Sequence, residues 1–335
     1  MPLIRAVSSM FSLFRGSEWW VYKTPPLLTI AYLEIITQYL PFEQSLETLF
    51  AILVSIFSIG AYGYLINDIC DIEVDRKAGK LNRMASLSKK QRLFLVLSCA
   101  LTGLIPWLII GLTLPLTIAL FALYLLLIIY PAPPLRLKER YLWGVFADAA
   151  TAHTIPTFFI ATAFYNLNET SRSGGSSLGL IATVWASVVG IRGILVHQLW
   201  DRNNDLKSGV KTFATKFKVA SIRFWINYAL FPLETFLVVV IIFFTFQFSI
   251  HLFIVIAVYC GVTLVRIDAN KLDPSPPKKS EVALYDFYEV WLPLSLLTLL
   301  SWQRPEFLIV QALHMILFYS VIKNRLGNAL RLFLL

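Results

Sequence analysis

The chain is predicted to be an all-α polytopic membrane protein, on three observations. First, 57% of its residues are hydrophobic and only 15% charged, and the mean hydropathy is +0.69, as suits a bundle embedded in lipid. Second, the apolar residues fall in blocks close to the about 20 residues a helix needs to cross a bilayer. Third, the basic residues cluster between alternate blocks.

Taken in order, the first block spans 25–42 and follows Trp19, Trp20, Tyr22 and Lys23. Those residues read as the interfacial anchor of a retained helix, and no cleavable signal is evident. Blocks at 48–66 and 93–112 follow, and the block at 115–131 is stopped by the prolines of Tyr130-Pro-Ala-Pro-Pro134. Blocks at 142–165 and 178–197 flank a polar stretch, 166–177, read as a flexible outer loop that holds the glycosylation sequon Asn168-Glu169-Thr170. Blocks at 222–246 and 249–266 precede a Pro/Lys-rich linker at 273–279. The last two, 284–302 and 306–322, could be spanning, re-entrant or interfacial. The expectation is nine to ten transmembrane helices in one domain over residues 1–335. Residues 1–24 would form an N-terminal segment, and 303–335 an extra C-terminal helix and tail.

Charge placement orients the bundle. With the N-terminus inside, 26 of the 29 Lys and Arg residues fall on one side. Only Arg172 and Arg304 fall on outer loops, and Arg192 lies within a helix. This asymmetry predicts cytoplasmic termini. It accounts for the net charge of +9 without a nucleic-acid partner, for which no basic face remains. Three cysteines, Cys70, Cys99 and Cys260, give no disulfide framework.

Two acidic clusters then stand out in a chain so poor in charge. Asn67-Asp68-x-x-Asp71-x-x-x-Asp75 is followed by Arg76 and Gly79, and His197-Gln198-x-x-Asp201-x-x-x-Asp205 by Gly209. They share one spacing, 130 positions apart, and each ends an apolar block on the predicted cytoplasmic side. Residues at i, i+4 and i+8 share a helix face, so Asn67, Asp71 and Asp75 align, as do His197, Asp201 and Asp205. Like charges at i,i+4 destabilise a bare helix, and a bound Mg²⁺ would reverse that. Mg²⁺ takes one or two carboxylates and completes its shell with water and phosphate oxygens. The shared spacing also suggests a parallel repeat in which the second and sixth helices correspond.

Cations accompany the clusters. Tyr130, Arg136 and Lys138 close the fourth block on the same side, and Arg76, Lys80, Arg83, Lys207 and Lys211 flank the carboxylates. Each is read either as a substrate contact or as ordinary positive-inside charge. Within predicted helices lie Asp148, His153 and Arg192, and intramembrane ionisable groups are by default functional candidates. Asp148 could steady a cation, orient an acceptor or pair with Arg192, whereas His153 reads as a packing residue. Aromatic residues make up 14% of the chain, which suits a lipid-facing surface and equally a pocket shielding a carbocation.

These motifs together resemble the UbiA superfamily of intramembrane prenyltransferases. Asn67-Asp68-x-x-Asp71-x-x-x-Asp75-Arg76 is similar to its first aspartate-rich motif, and Asp201-x-x-x-Asp205-x-x-x-Gly209-x-x-Thr212 to its second. Tyr130-x-x-Pro-Pro-Leu-Arg136-Leu-Lys138 is similar to the segment between them, and the resemblance covers about residues 20–265. It implies a helical bundle around a lipid-open cavity, an isoprenoid diphosphate donor, a lipophilic or aromatic acceptor and Mg²⁺. By position, Asn67, Asp68, Asp71, Asp75, Gln198, Asp201 and Asp205 would serve the metal, with Asp71, Asp201, Tyr130 and Lys138 at the chemistry. Arg76, Lys80, Arg83, Arg136, Asp148, Arg192, His197 and Lys211 would contact substrate. Three features depart from the family pattern: Met84 follows Arg83 where Pro is common, Gln198 stands where Asp is common, and a tenth helix is suggested. Phosphoribosyl transfer to a polyprenyl phosphate and terpene cyclisation share the same metal–diphosphate logic. A cation-coupled transporter would place its carboxylates near the midplane, away from where both clusters fall.

Overall fold

The computed structural model describes residues 11–165, 175–246, 251, 254–255, 257–259 and 284–333, and every element among them is helical. The predicted outer loop and the 273–279 linker lie wholly or mainly outside these residues, as does most of the 249–266 block.

Helix α1 is Gly16–Gln38. Its residues Leu27–Ile36 are all buried, so it is enclosed by other helices rather than facing lipid along one side. Helix α2, Phe42–Lys77, has 36 residues. At 1.5 Å per residue it is about 54 Å long, well beyond a hydrocarbon core of about 30 Å. Its polar last turns therefore stand clear of the apolar layer and carry the Asn67–Asp75 cluster with them. Helix α3, Lys89–Ile110, starts at a capping box in which Ser88 and Gln91 satisfy each other's backbone N–H. Helix α4 is Leu114–Ile129. Next come α5 (Leu142–Ala149), a π turn at Ala150–Thr154, and α6 (Ile155–Tyr165).

Helix α7, Gly175–Ser208, has 34 residues and overhangs as α2 does, carrying the His197–Asp205 cluster. The short α8 is Phe213–Lys216, and α9 (Val219–Trp225) leads through a π turn at Ile226–Leu230 into α10, Phe231–Phe246. A third π turn, Phe287–Trp291, opens α11, Leu292–Gln303. Helices α12 (Leu308–Leu317) and α13 (Tyr319–Phe333) finish the chain. α2 packs on α3 and α4, while α7 packs on α5, α6 and α10, and α1 fits between α6 and α11.

The two halves correspond at the cluster-bearing ends. α2 ends at Lys77 and α7 at Ser208, while α3 begins at Lys89 and α9 at Val219. Each long helix is stopped by a glycine at positive φ, Gly79 at 67° and Gly209 at 74°, a conformation that costs glycine little. Lys80 N donates to Asp75 O and Val210 N to Asp205 O, both at 2.9 Å. The spacing seen in sequence thus corresponds to a repeated helix–turn–helix.

Among the described residues the expected nine to ten spans are not all seen, and most of the 249–266 block lies outside those residues. Four described helices are long and apolar enough to cross a membrane, and a pair bent by 77° over Pro305–Leu326 makes a fifth. α4, with 16 residues, reaches only about 24 Å. α1 carries Glu18, Lys23, Glu34 and Gln38 along its length, which dilutes its apolar character. The tenth block is broken by its bend.

Candidate active site

The turn after α4 builds the centre of the site. Arg136 adopts φ of 40°, in the left-handed region that non-glycine residues rarely occupy. Lys138 N returns to Tyr130 O at 3.1 Å. The reversal brings both cations onto the polar end of α2. The Arg136 guanidinium donates to Asp71 Oδ1 at 2.8 Å, and Lys138 Nζ donates to Asn67 Oδ1 at 3.0 Å and to Asp71 Oδ2. Asp71, Arg136 and Lys138 keep only 14%, 16% and 17% of their side chains exposed, which strengthens these charge-assisted bonds. Burial pulls the Lys138 ammonium below the usual lysine range, and Asp71 opposes that drop. Beside this group, Tyr130 Oη donates to Asp148 Oδ1 at 3.3 Å.

The other members of the first cluster are held by residues that the sequence did not single out. Asp68 is buried and meets Arg15 at 3.3 Å, and Arg15 also lies over the Tyr64 ring at 5.1 Å. Glu18 links Arg15 to Arg83, the latter at 3.1 Å. Asn82 Nδ2 donates to Asp75 Oδ2 at 2.8 Å. Arg76, expected either to touch substrate or to be ordinary positive-inside charge, pairs with Glu73 on an exposed face, 73% accessible.

In the second cluster, His197 Nδ1 and Asp201 Oδ2 lie 3.3 Å apart on an exposed face. Thr212 Oγ1 donates to Asp205 Oδ2 at 3.1 Å. Gln198 is buried, and its Oε1 accepts from Ala214 N at 3.3 Å, so its carbonyl serves the loop. Burial raises the Asp205 carboxyl above the usual carboxylate range, opposed by its bond from Thr212 and, more weakly, by the Lys80 charge from the first loop. Lys207 and Lys211 are exposed beside it.

Arg192 is the clearest correction. Its partner is Glu234, not Asp148: Nε and the second guanidinium nitrogen reach the carboxylate at 2.5 and 2.8 Å. Both side chains have zero exposure. Tyr288 Oη donates to the same carboxylate at 2.9 Å, and Tyr285 lies 4.6 Å from the guanidinium. The pair is a packed, internal element of the helix bundle. Partners 42 and 53 positions away, Glu234 for Arg192 and Arg15 for Asp68, leave no periodic trace in sequence, whereas Asn82 stands only seven residues after Asp75. Thr212 carried one signal, its place seven residues after Asp205.

The donor set suits a divalent cation. Asp71, Asp75, Asp201, Asp205 and the Asn67 amide are hard oxygen ligands, the kind Mg²⁺ prefers. Among the described residues no three His, Cys, Asp or Glu converge as a ready-made cage. A cation here would be held by one or two carboxylates and complete its shell from water and phosphate.

Fold and site together define a helical membrane protein with a carboxylate–cation site at one end of its bundle. The sequence profile of the UbiA prenyltransferase family matches residues 29–292, and the chain belongs to that family. No curated protein sequence matches it. A UbiA homologue from Archaeoglobus fulgidus bound to GPP and Mg²⁺ superposes with a TM-score of 0.56 at 18% identity, covering 93% of this chain and 99% of that one. The same homologue bound to DMAPP and Mg²⁺ gives 0.55 at 17%, with 93% and 98% covered. A structure of digeranylgeranylglyceryl phosphate synthase gives 0.52 at 18%, with 95% and 99% covered. At these identities the likeness is one of fold. Family membership makes the chain an integral membrane protein with a transferase role.

Proposed function

We propose that the protein moves an isoprenoid group from its diphosphate to a lipophilic or aromatic acceptor, working at the cytoplasmic face of its membrane. The observation that carries this reading is the Asn67–Asp71–Arg136–Lys138 group, set at the same end of the bundle as the second carboxylate cluster. Structures of homologues bound to GPP or DMAPP with Mg²⁺ support the donor class, and the one-sided Lys/Arg distribution supports the cytoplasmic placement.

Arg136 and Lys138 would exchange their bonds to Asp71 for the diphosphate oxygens, which Arg can grip bidentately and Lys as a point charge. Asp71 and Asp75 on one side and Asp201 and Asp205 on the other would then hold the cation, with Asn67 supplying a neutral oxygen. Bound Mg²⁺ would offset the charge that develops on the departing diphosphate. The bond between the first prenyl carbon and the diphosphate oxygen breaks, leaving an allylic carbocation. The acceptor's nucleophilic atom forms the new bond to that carbon and loses a proton. Tyr130, held by Asp148, lies beside this centre and would orient the leaving group.

The full-length protein in detergent, given Mg²⁺ and labelled prenyl diphosphates of several lengths alongside phosphoribosyl diphosphate, tests the assignment. Diphosphate release from a prenyl donor is the expected result. Release from the phosphoribosyl donor alone would move the protein to the sugar-transfer reading. Release from neither would remove the transferase assignment.

A further inference from the structure

We propose that Asn82 and Thr212 are positioning residues, each fixing the last carboxylate of its acidic cluster for the Mg²⁺–diphosphate group. The inference rests on the transferase reading above and goes beyond it to residues outside both aspartate clusters.

The two bonds match in detail. Asn82 Nδ2 donates to Asp75 Oδ2 at 2.8 Å, and Thr212 Oγ1 donates to Asp205 Oδ2 at 3.1 Å. Each donor stands seven residues after its aspartate, beyond a glycine at positive φ. Each is buried, at 9% and 8% exposure, and is itself held by its loop. Asn82 also donates to Asp68 O and accepts from Met84 N, and Thr212 N donates to Thr215 Oγ1. The residue types differ, an amide in one half and a hydroxyl in the other. What the halves share is therefore the donated hydrogen, not a side-chain shape.

A neutral donor suits this task. Asp71 is already engaged by two cations, whereas Asp75 and Asp205 each take a bond that adds no positive charge. A carboxylate offers about four lone-pair directions, and each of these neutral donors takes one of them. Outer-shell bonds of this kind orient metal-binding carboxylates, and their loss costs about 10–100-fold in metal affinity. The second cluster depends on its donor more, because Gln198 stands where the first cluster has Asp68 and spends its carbonyl on Ala214 N.

The test uses full-length protein in detergent, titrated calorimetrically with Mg²⁺ in the presence of inorganic diphosphate, with thermal melting in Mg²⁺-free buffer alongside. Thr212→Val removes the donor at nearly constant volume. Thr212→Ala removes it without any steric risk and carries the test if the valine variant melts early. Thr212→Ser and Thr212→Asn keep a donor. The expected result is binding about 10-fold weaker or worse in the donor-free variants, wild-type-like binding in Thr212→Ser and partial recovery in Thr212→Asn, with melting unchanged. Wild-type affinity in both donor-free variants would overturn the positioning role. So would weak binding in Thr212→Ser that follows a lowered melting point, which would mark a purely structural residue. Absence of Mg²⁺–diphosphate binding by the wild type would overturn the transferase reading itself, and the positioning role with it.

Discussion

Lys138 concentrates the site's chemistry in one side chain. It bridges Asn67 and Asp71, and burial holds its ammonium below the usual lysine range. Replacing it with Met should lower turnover by about 100-fold or more, the scale seen when one preorganised donor to a developing anion is removed. The charged form is the one that binds phosphate. Binding should therefore fall as pH rises through a value below the ordinary lysine figure of about 10.4. Lys138→Arg, which stays charged, should remove that alkaline limb from the pH profile of kcat/KM, and an unchanged limb would assign it to another group. At this scale the sequence was partly legible. That the Arg136–Lys138 element accompanies the clusters was expected from charge and helix ends, but its bonds to Asp71 were not. The partners of Asp68 and Arg192 were not legible either, because Arg15 and Glu234 lie 53 and 42 positions away and are joined to them only by folding.

Two devices belong to the helices and their ends. Arg192 on α7 and Glu234 on α10 form an ion pair with no exposure, which is costly to break from one side only. Glu234→Ala should destabilise the protein by about 3–5 kcal/mol, whereas Arg192→Met combined with Glu234→Leu should recover most of the loss. Thermal melting in detergent checks this, and equal losses in the single and double variants would contradict it. Gly79 and Gly209 end α2 and α7 at positive φ with open space where a Cβ would stand. Alanine at either position should cost about 1–2 kcal/mol from backbone strain alone, and similar costs at both would bear out the equivalence of the halves. Hydropathy made most helices legible, and the clusters' shared spacing pointed to α2 and α7 as counterparts. The three π turns were not legible: a single extra residue in a helical turn leaves an apolar stretch looking unbroken. The bend of 77° between α12 and α13 falls in the 306–322 block, for which the sequence left spanning, re-entrant and interfacial alternatives open.

For the molecule as a whole, the claim is that one end of a membrane-embedded bundle gathers both acidic clusters. The basic residues predict that this end faces the cytoplasm. Single cysteines placed at Lys80, Lys211 and Glu306 in a background lacking the native ones test it with a membrane-impermeant thiol reagent. The first two should label from the cytoplasmic side and the third from the opposite side. Labelling of Lys80 and Lys211 positions from different sides would separate the clusters and dismantle the site. The all-helical class and the family were legible in sequence, because lipid imposes long apolar blocks and leaves carboxylates conspicuous. The number of spans was not legible to the same degree: among the described residues four or five helices are long and apolar enough to cross a membrane, since block length alone does not reveal which helices are short, bent or interrupted by polar residues.

Joint action of both clusters on one diphosphate is tested by Mg²⁺-dependent diphosphate release by wild type, Asp71→Ala and Asp201→Ala side by side, with folding confirmed by melting. Loss of release by about 100-fold or more in each variant is predicted. Wild-type release from either folded variant would show that its cluster is solvated surface charge and contradict the account.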